Sequence, residues 1–291
     1  MILRSLGAGA PQVSAVGYGG MHLSIDGRPP ESEALKVLAA MLDAGITLID
    51  TADAYCLDER DTGHNERLIA SALCAWKGDR SRVVVATKGG VVRSGARWDT
   101  DGSPAHLRAA CDRSLRALGT ERIDLYQLHA PDPRVPLVES VGALAQLQQE
   151  GKVRWIGLSN VSVEEIRTAQ TAASITAVQN RLNPFFREAL TGGVVRYCGE
   201  NGIGFLAYSP VGGGRLNKKL SSHPVVAPMA ARLGVSPHTV VLAWVMSQSP
   251  AVIPIPSART VGHALDSVSA AAVLLDENDR SAIDAAEFSR A

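Results

Sequence analysis

Charge of one sign is what this chain most plainly lacks. Its 29 basic and 29 acidic residues cancel, so no long-range field gathers nucleic acid or an anionic membrane surface, and any bound anion must be gripped locally. Aromatic residues are scarce, at 4% of 291 positions, which leaves few side chains to wall an apolar pocket. No apolar run reaches the roughly eighteen residues that a membrane span needs, and the opening MILRSLGAGAPQ has no export-signal core. A cytoplasmic location is the expectation. The four cysteines, Cys56, Cys74, Cys111 and Cys198, form no CxxC pair. That spacing excludes a structural zinc site or a thioredoxin-like motif and predicts free thiols in a reducing compartment. A dinucleotide fingerprint is missing as well. The early GxG of Gly7 to Gly9 leads into Pro11 rather than a helix, so it reads as a turn and argues against a doubly wound open sheet.

What is present is an ordinary globular composition, 46% hydrophobic and 20% charged, able to bury a large core. No linker, repeat or low-complexity stretch divides residues 1–291, so a single domain is expected. The segment ILRSLGAGAPQV reads as two short extended pieces around a Gly/Pro turn, a hairpin suited to plug one end of a barrel. Strand-like and helix-like segments then alternate at a constant period. Helical spacing in EALKVLAAMLDAG gives way to ITLIDTA, NERLIASALCAW to VVVATK, and PAHLRAACDRSLRALG to IDLYQLH; the pattern continues to HTVVLAWVMSQ and AVIPIP. Strands beginning near Val16, Ile46, Val83, Ile123, Val153, Ile175, Ile203 and Val252 number eight. Short apolar strands each followed by a helix predict an α/β fold, a (β/α)8 TIM barrel behind a short N-terminal β-hairpin.

In such a barrel, chemistry collects just beyond the carboxyl ends of the strands. Three consecutive strands finish there on an ionisable residue: Asp50 with Tyr55 shortly after it, Lys88, and His129. Each has an innocuous explanation by itself, as a turn cap, a rim aromatic, a snorkelling lysine and a core histidine. Together they would share one pocket. A buried lysine needs a counter-charge, which Asp50 can supply. The Lys88 ammonium beside the Tyr55 hydroxyl is expected to lower the phenol from its usual pKa of about 10 and make it a usable acid.

The motifs IDTADAY, GHNERLIASAL, VVVATKGG, LYQLHAPD, WIGLSN, VQNRLNP, FLAYSPVGGG and VIPIPSAR occur in that order along nearly the whole chain. In these the sequence resembles the aldo-keto reductase family. The resemblance implies a catalytic tetrad of Asp50, Tyr55, Lys88 and His129, the set that the strand ends pick out. It implies hydride transfer from NADPH to the carbonyl of a small-molecule substrate, with Tyr55 giving a proton to the developing alkoxide and His129 orienting the oxygen. The family holds NADPH/NADP+ extended across the barrel mouth. By resemblance Ser159, Asn160 and Gln179 would meet the carboxamide, although Asn160 could instead cap the helix after it. Tyr208 would stack on the nicotinamide, and Ser209, Pro210, Gly212 and Gly213 would pass the pyrophosphate; a ligand-free glycine loop is the alternative at the last two. Ser257, Ala258 and Arg259 would hold the 2′-phosphate, with Arg259 favouring NADPH over NADH. His263 stands where a second cation is common. Asp266 and Ser267 stand where the family often has a Glu-Asn pair for the adenine, a departure; all three could equally be helix surface.

Trp98, in the insert VVRSGARWDTDG, is the clearest candidate to line the substrate pocket, with a surface tryptophan on a mobile loop as the alternative. The charged insert CLDERDTGHNE would suit a polar substrate such as a sugar, unless its charges are simply solvated. Two further readings stand beside a broad carbonyl reductase: a reductase of a nucleotide-linked keto-sugar, and a cofactor-binding regulatory subunit like the potassium-channel beta subunits. Net neutrality and the lack of a long extra N-terminal segment favour a free-standing enzyme.

Overall fold

The fold is that of a computed structural model, which describes residues 2–291. It opens with the antiparallel pair β1 (Leu3–Ser5) and β2 (Gln12–Ser14). The barrel strands begin with β3 (Tyr18–Gly19), β4 (Leu48–Asp50) and β5 (Val84–Gly89). An antiparallel ribbon, β6 (Val91–Ser94) and β7 (Arg97–Thr100), interrupts them. The barrel resumes with β8 (Ile123–Leu128), β9 (Val153–Ser159), β10 (Ala177–Arg181), β11 (Gly204–Tyr208) and β12 (Val252–Pro254). These eight strands pair side by side in chain order, every pair parallel. Gly17 and Gly19 donate to the Pro254 and Pro256 carbonyls at 2.9 Å each, joining the first strand to the last.

Inside, Leu48, Val84, Leu125, Trp155, Leu206 and Ile253 pack on Leu6 and Val13 from the opening hairpin. The hairpin therefore closes the barrel's amino-terminal end, as its sequence suggests, and Trp155 Nε1 fastens it by donating to Gly9 O at 3.1 Å. With that end filled by side chains, the open end is where the strands finish.

The outer layer comprises α1 (Glu31–Asp43), α2 (His64–Ala75), α3 (Pro104–Leu118), α4 (Leu137–Gln149), α5 (Val163–Gln170), α6 (Glu188–Thr191), α7 (Val194–Glu200), α8 (Val226–Leu233), α9 (Pro237–Ser247), α10 (Val261–Ser269) and α11 (Glu277–Ala285). Local chemistry sets their ends. Helix α3 starts at the Ser103 cap with proline in its first turn and stops at Gly119 in the left-handed region. Helix α9 is buried on nearly every side, as its continuous apolar run requires. Among the described residues no helix is long and apolar enough to cross a membrane. Three details differ from the sequence pattern. LTGGVVRYCGENG breaks into α6 and α7, because Gly192 and Gly193 interrupt it. Helix α8 adds to the regular alternation. The insert after β5 is a paired ribbon rather than a loop.

Candidate active site

The four residues expected at the strand ends meet at the open mouth. Lys88 Nζ donates to Asp50 Oδ2 at 2.6 Å, to Thr51 O at 2.9 Å and to the Tyr55 hydroxyl at 2.9 Å. Three protons find three acceptors, so the fully buried ammonium is completely satisfied. Asp50 Oδ1 accepts from Gln179 Nε2 at 2.7 Å and from Gln127 Nε2 at 3.2 Å. Burial pulls the Lys88 pKa down, but Asp50 and Tyr55 outweigh it and the net shift is upward, so the lysine stays charged. For Tyr55 the net direction corrects the expectation. Burial of the hydroxyl raises its pKa and outweighs the lowering by Lys88, so the phenol keeps its proton through the neutral range. His129 is pushed well below the ordinary imidazole value, by burial first and by Lys88 second, and is neutral. Its Nδ1 is buried with no partner. The His129 ring lies edge-on to Tyr55 at 5.7 Å between centroids, and Trp98 lies edge-on to it at 6.4 Å.

The turn that carries Tyr55 is tied down from below. Asn65, from the GHNE motif, accepts from Thr51 Oγ1 at 2.6 Å and donates to Gly20 O at 2.9 Å and Ser24 Oγ at 2.8 Å. Glu66 accepts from Thr87 Oγ1 at 2.6 Å, which braces the strand residue before Lys88. Neither Gln127 nor Asn65 stands out in the sequence as part of the site. An amide in the middle of an apolar strand is the available signal for the first, since a buried amide must find partners.

The residues expected to hold a cofactor line the later strand ends. Ser159 is buried, and Asn160 Nδ2 donates to His129 O at 3.0 Å and Ser159 Oγ at 3.1 Å, while Tyr208 donates to Asn160 Oδ1 at 2.8 Å. Asn160 does not cap the next helix; that role belongs to Ser162, in a capping box with Glu165. Gln179 spends its amide N–H on Asp50. Asn160 and Ser209 are, among the described residues, the non-glycine positions with positive φ, at 60° and 48°. Such conformations gather where a backbone is shaped for a ligand. Beyond Ser209 and the buried Pro210, Gly212 and Gly213 have φ of 93° and 66°, which glycine alone takes without strain.

Past β12, Ser257 Oγ is buried and unpartnered, and Ala258 O accepts from Tyr18 OH at 2.7 Å. Arg259 is exposed, its Nε donating to His22 O at 3.2 Å and its Nη2 to Asp26 O at 2.9 Å. His263 is exposed at the start of α10, where Thr260 caps the helix. Asp266 Oδ2 accepts from Ser236 Oγ at 2.6 Å, and Ser267 Oγ donates to His263 O at 3.1 Å. The orphaned Ser257 hydroxyl, the two positive-φ turns at Asn160 and Ser209 and the glycines fit an extended anionic dinucleotide. One carboxylate oxygen of Asp266 is taken by Ser236.

The charged insert also has internal work. Asp58 caps a short helical turn, Asp61 pairs with Arg28 at 2.5 Å, and Glu59 Oε2 accepts from Gly95 N at 2.9 Å. Those three carboxylates organise the loops around them. Cys56, beside Tyr55, is buried and its thiol is pushed up to about 11 by burial, so it is inert.

A closed parallel barrel whose mouth holds a protonated phenol, a buried ammonium and a neutral imidazole defines a site for acid-assisted chemistry on a small molecule. The model of the Aldo/keto reductase family matches residues 15–287. The chain belongs to that family. It is 34% identical over 268 residues to an uncharacterized oxidoreductase of Schizosaccharomyces pombe, covering 90% of this chain and 83% of the relative. A probable aldo-keto reductase of Glycine max is 34% identical over 303 residues, covering 94% of this chain and 85% of the relative. Among solved structures, an aldo/keto reductase from Klebsiella pneumoniae in complex with NADP and acetate superposes with TM-score 0.81 at 26% identity, covering 97% of this chain and 94% of that one. A thermostable aldo-keto reductase bound to the inhibitor epalrestat superposes with TM-score 0.83 at 26% identity, covering 98% and 99%.

Proposed function

We propose that this protein reduces a small aldehyde or ketone to the alcohol with NADPH, and that Tyr55 is the proton donor. The observation that carries the reading is the Tyr55 hydroxyl held 2.9 Å from a buried, satisfied lysine, with the Tyr55 ring edge-on to both His129 and Trp98. The Klebsiella relatives bound to NADP and NADPH support the cofactor. Ser159, Asn160, Gln179 and Tyr208 would hold the nicotinamide end, Ser209 to Gly213 the pyrophosphate, and Ser257 to Arg259 with His263 the 2′-phosphate. When bound, NADPH supplies the hydride for the carbonyl carbon.

The oxygen of that carbonyl gains charge as the bond changes, and three groups of this chain answer it. Tyr55 enters as the neutral phenol and transfers its proton to an alkoxide that is far more basic than itself. Lys88 stays charged and stabilises the phenolate left behind, while Asp50 and its two glutamine partners hold the lysine in place. Neutral His129 presents Nε2–H to the carbonyl oxygen, a donor whose value lies in the transition state. Trp98 forms the facing wall and suits an aromatic or apolar group beside the carbonyl.

Tyr55→Phe tests the reading in an NADPH-oxidation assay over aldehydes and ketones. Turnover should fall by about a hundredfold or more, while NADPH binding, followed by nucleotide fluorescence, stays nearly unchanged. Full activity without the hydroxyl would remove Tyr55 as the acid. Tight NADPH binding with no carbonyl turned over by the unaltered protein would favour a regulatory role instead.

A further inference from the structure

The motif LYQLHAPD contributes a residue that the chemistry above does not use. Asp132 lies three positions after His129 and is 4% exposed. Its Oδ1 accepts from Arg134 N at 3.0 Å and Arg134 Nε at 2.9 Å; its Oδ2 accepts from Arg134 Nη2 at 3.0 Å and from Gly102 N at 3.0 Å. The Arg134 guanidinium, exposed on its outer side, also donates to Thr100 O. Those hydrogen bonds, led by the guanidinium, hold the Asp132 carboxyl well below the usual carboxylate range, so it is ionised throughout the working range.

Gly102 and Thr100 form the root of the β6–β7 ribbon, whose Trp98 stands against Tyr55. The approach is close: a methyl on Gly102 would lie 2.9 Å from Asp132 Cβ and 3.0 Å from Ser140 Oγ, whose hydroxyl already donates to Gly102 O at 2.7 Å. One carboxylate therefore joins the loop that carries His129 to the ribbon that carries Trp98, and both rings stand edge-on to one phenol. The ribbon's tip has a separate tether, Arg93 Nη2 donating to Leu57 O at 2.8 Å and Gly95 N to Glu59.

We propose that Asp132 is a positioning residue for substrate selection: its bonds to Gly102 and Arg134 fix the root of the β6–β7 ribbon, and so set the gap between Trp98 and Tyr55 into which the group beside the carbonyl fits. This rests on the reductase reading of Tyr55. Asp132→Asn keeps the shape but loses the charged pairing with Arg134. Asp132 acts through Trp98, so its loss erodes discrimination between an aromatic carbonyl, which needs that wall, and a small one, which does not.

The readout is the ratio of kcat/KM for benzaldehyde to that for propanal. Asp132→Asn should lower it about tenfold, the effect of taking one apolar group out of a pocket. Trp98→Ala should lower it at least as far, and the double variant no further, because both changes remove one interaction. Gly102→Ala, which keeps the charged Asp132 side chain but pushes it away from the ribbon root, should reproduce the loss. In hydrogen exchange, residues 91–100 of either Asp132→Asn or Gly102→Ala should exchange faster with the barrel strands unchanged, a measurement independent of turnover. An unchanged ratio in Asp132→Asn, or losses that multiply in the double variant, overturns the proposal. Unchanged exchange in the ribbon overturns it too, in an enzyme of any activity. Failure of the unaltered protein to reduce either aldehyde counts against the reductase reading and leaves the exchange result to decide the positioning.

Discussion

Replacing Lys88 with methionine is the most demanding test of how the centre is held together. The two side chains have similar volume, so the change removes three N–H donors and one charge with little cavity. Left behind is the Asp50 carboxylate, 2% exposed, with only the Gln127 and Gln179 amides to face it. Breaking one side of a buried pair costs about 3–5 kcal/mol, most of it the penalty of a stranded charge. At about 2 °C per kcal/mol for a chain of this size, the melting midpoint should drop by roughly 6–10 °C. Adding Asp50→Asn removes the stranded charge, and a pair of neutral groups often serves stability as well as an ion pair. The double variant should therefore regain most of the lost midpoint. Both variants are expected to be inactive, so the assay is thermal unfolding at pH 7 followed by circular dichroism. A loss of under about 1 kcal/mol in Lys88→Met, or a double variant no better than the single one, would refute the idea that Asp50 is charged and dependent on Lys88.

Two other outcomes are expected. Arg259→Ala should raise the KM for NADPH much more than that for NADH, since only the former carries the extra phosphate; equal effects would remove the phosphate role. Asp53 is pushed up to about 8, by burial and then by the charge of Glu66. The folded carboxyl thus binds protons more tightly than the unfolded one, and its contribution to stability is full below about pH 4 and declines up to about pH 8. Asp53→Asn should flatten that part of the pH–stability curve and raise the unfolding midpoint at pH 9; a midpoint lowered at pH 9 would contradict the assignment.

The strand ends are legible in the sequence because Asp50, Lys88 and His129 interrupt apolar runs, and an interruption at a fixed place in a repeated unit marks the barrel mouth. The net pKa direction of Tyr55 is not legible, because it depends on how deeply the hydroxyl is buried, and spacing contains no depth. The ribbon around Trp98 reads as a loop although Gly95 and Ala96 lie between two strand-like pieces, a hairpin signal that a barrel template overrides. Position in a motif sets Asp266 near the adenine end, but not what it bonds to in the fold. The partner that claims it, Ser236, lies 30 residues away in sequence, and only a folded chain brings such pairs together. Asn160 illustrates the converse: an amide before a glutamate-rich helix start looks like a cap, yet Ser162 completes a capping box and frees Asn160 for the mouth.

The join between β3 and β12 has a mechanical consequence. Gly17 and Gly19 donate across it, but Pro254 and Pro256 have no N–H to return. The join is therefore bonded in one direction only, by donors from the first strand. Arg259 straddles that same join, gripping the carbonyls of His22 and Asp26 on the far side. A dinucleotide phosphate seated on Arg259 would add a second fastening across that one-directional join, so the loaded barrel should part there less readily than the empty one.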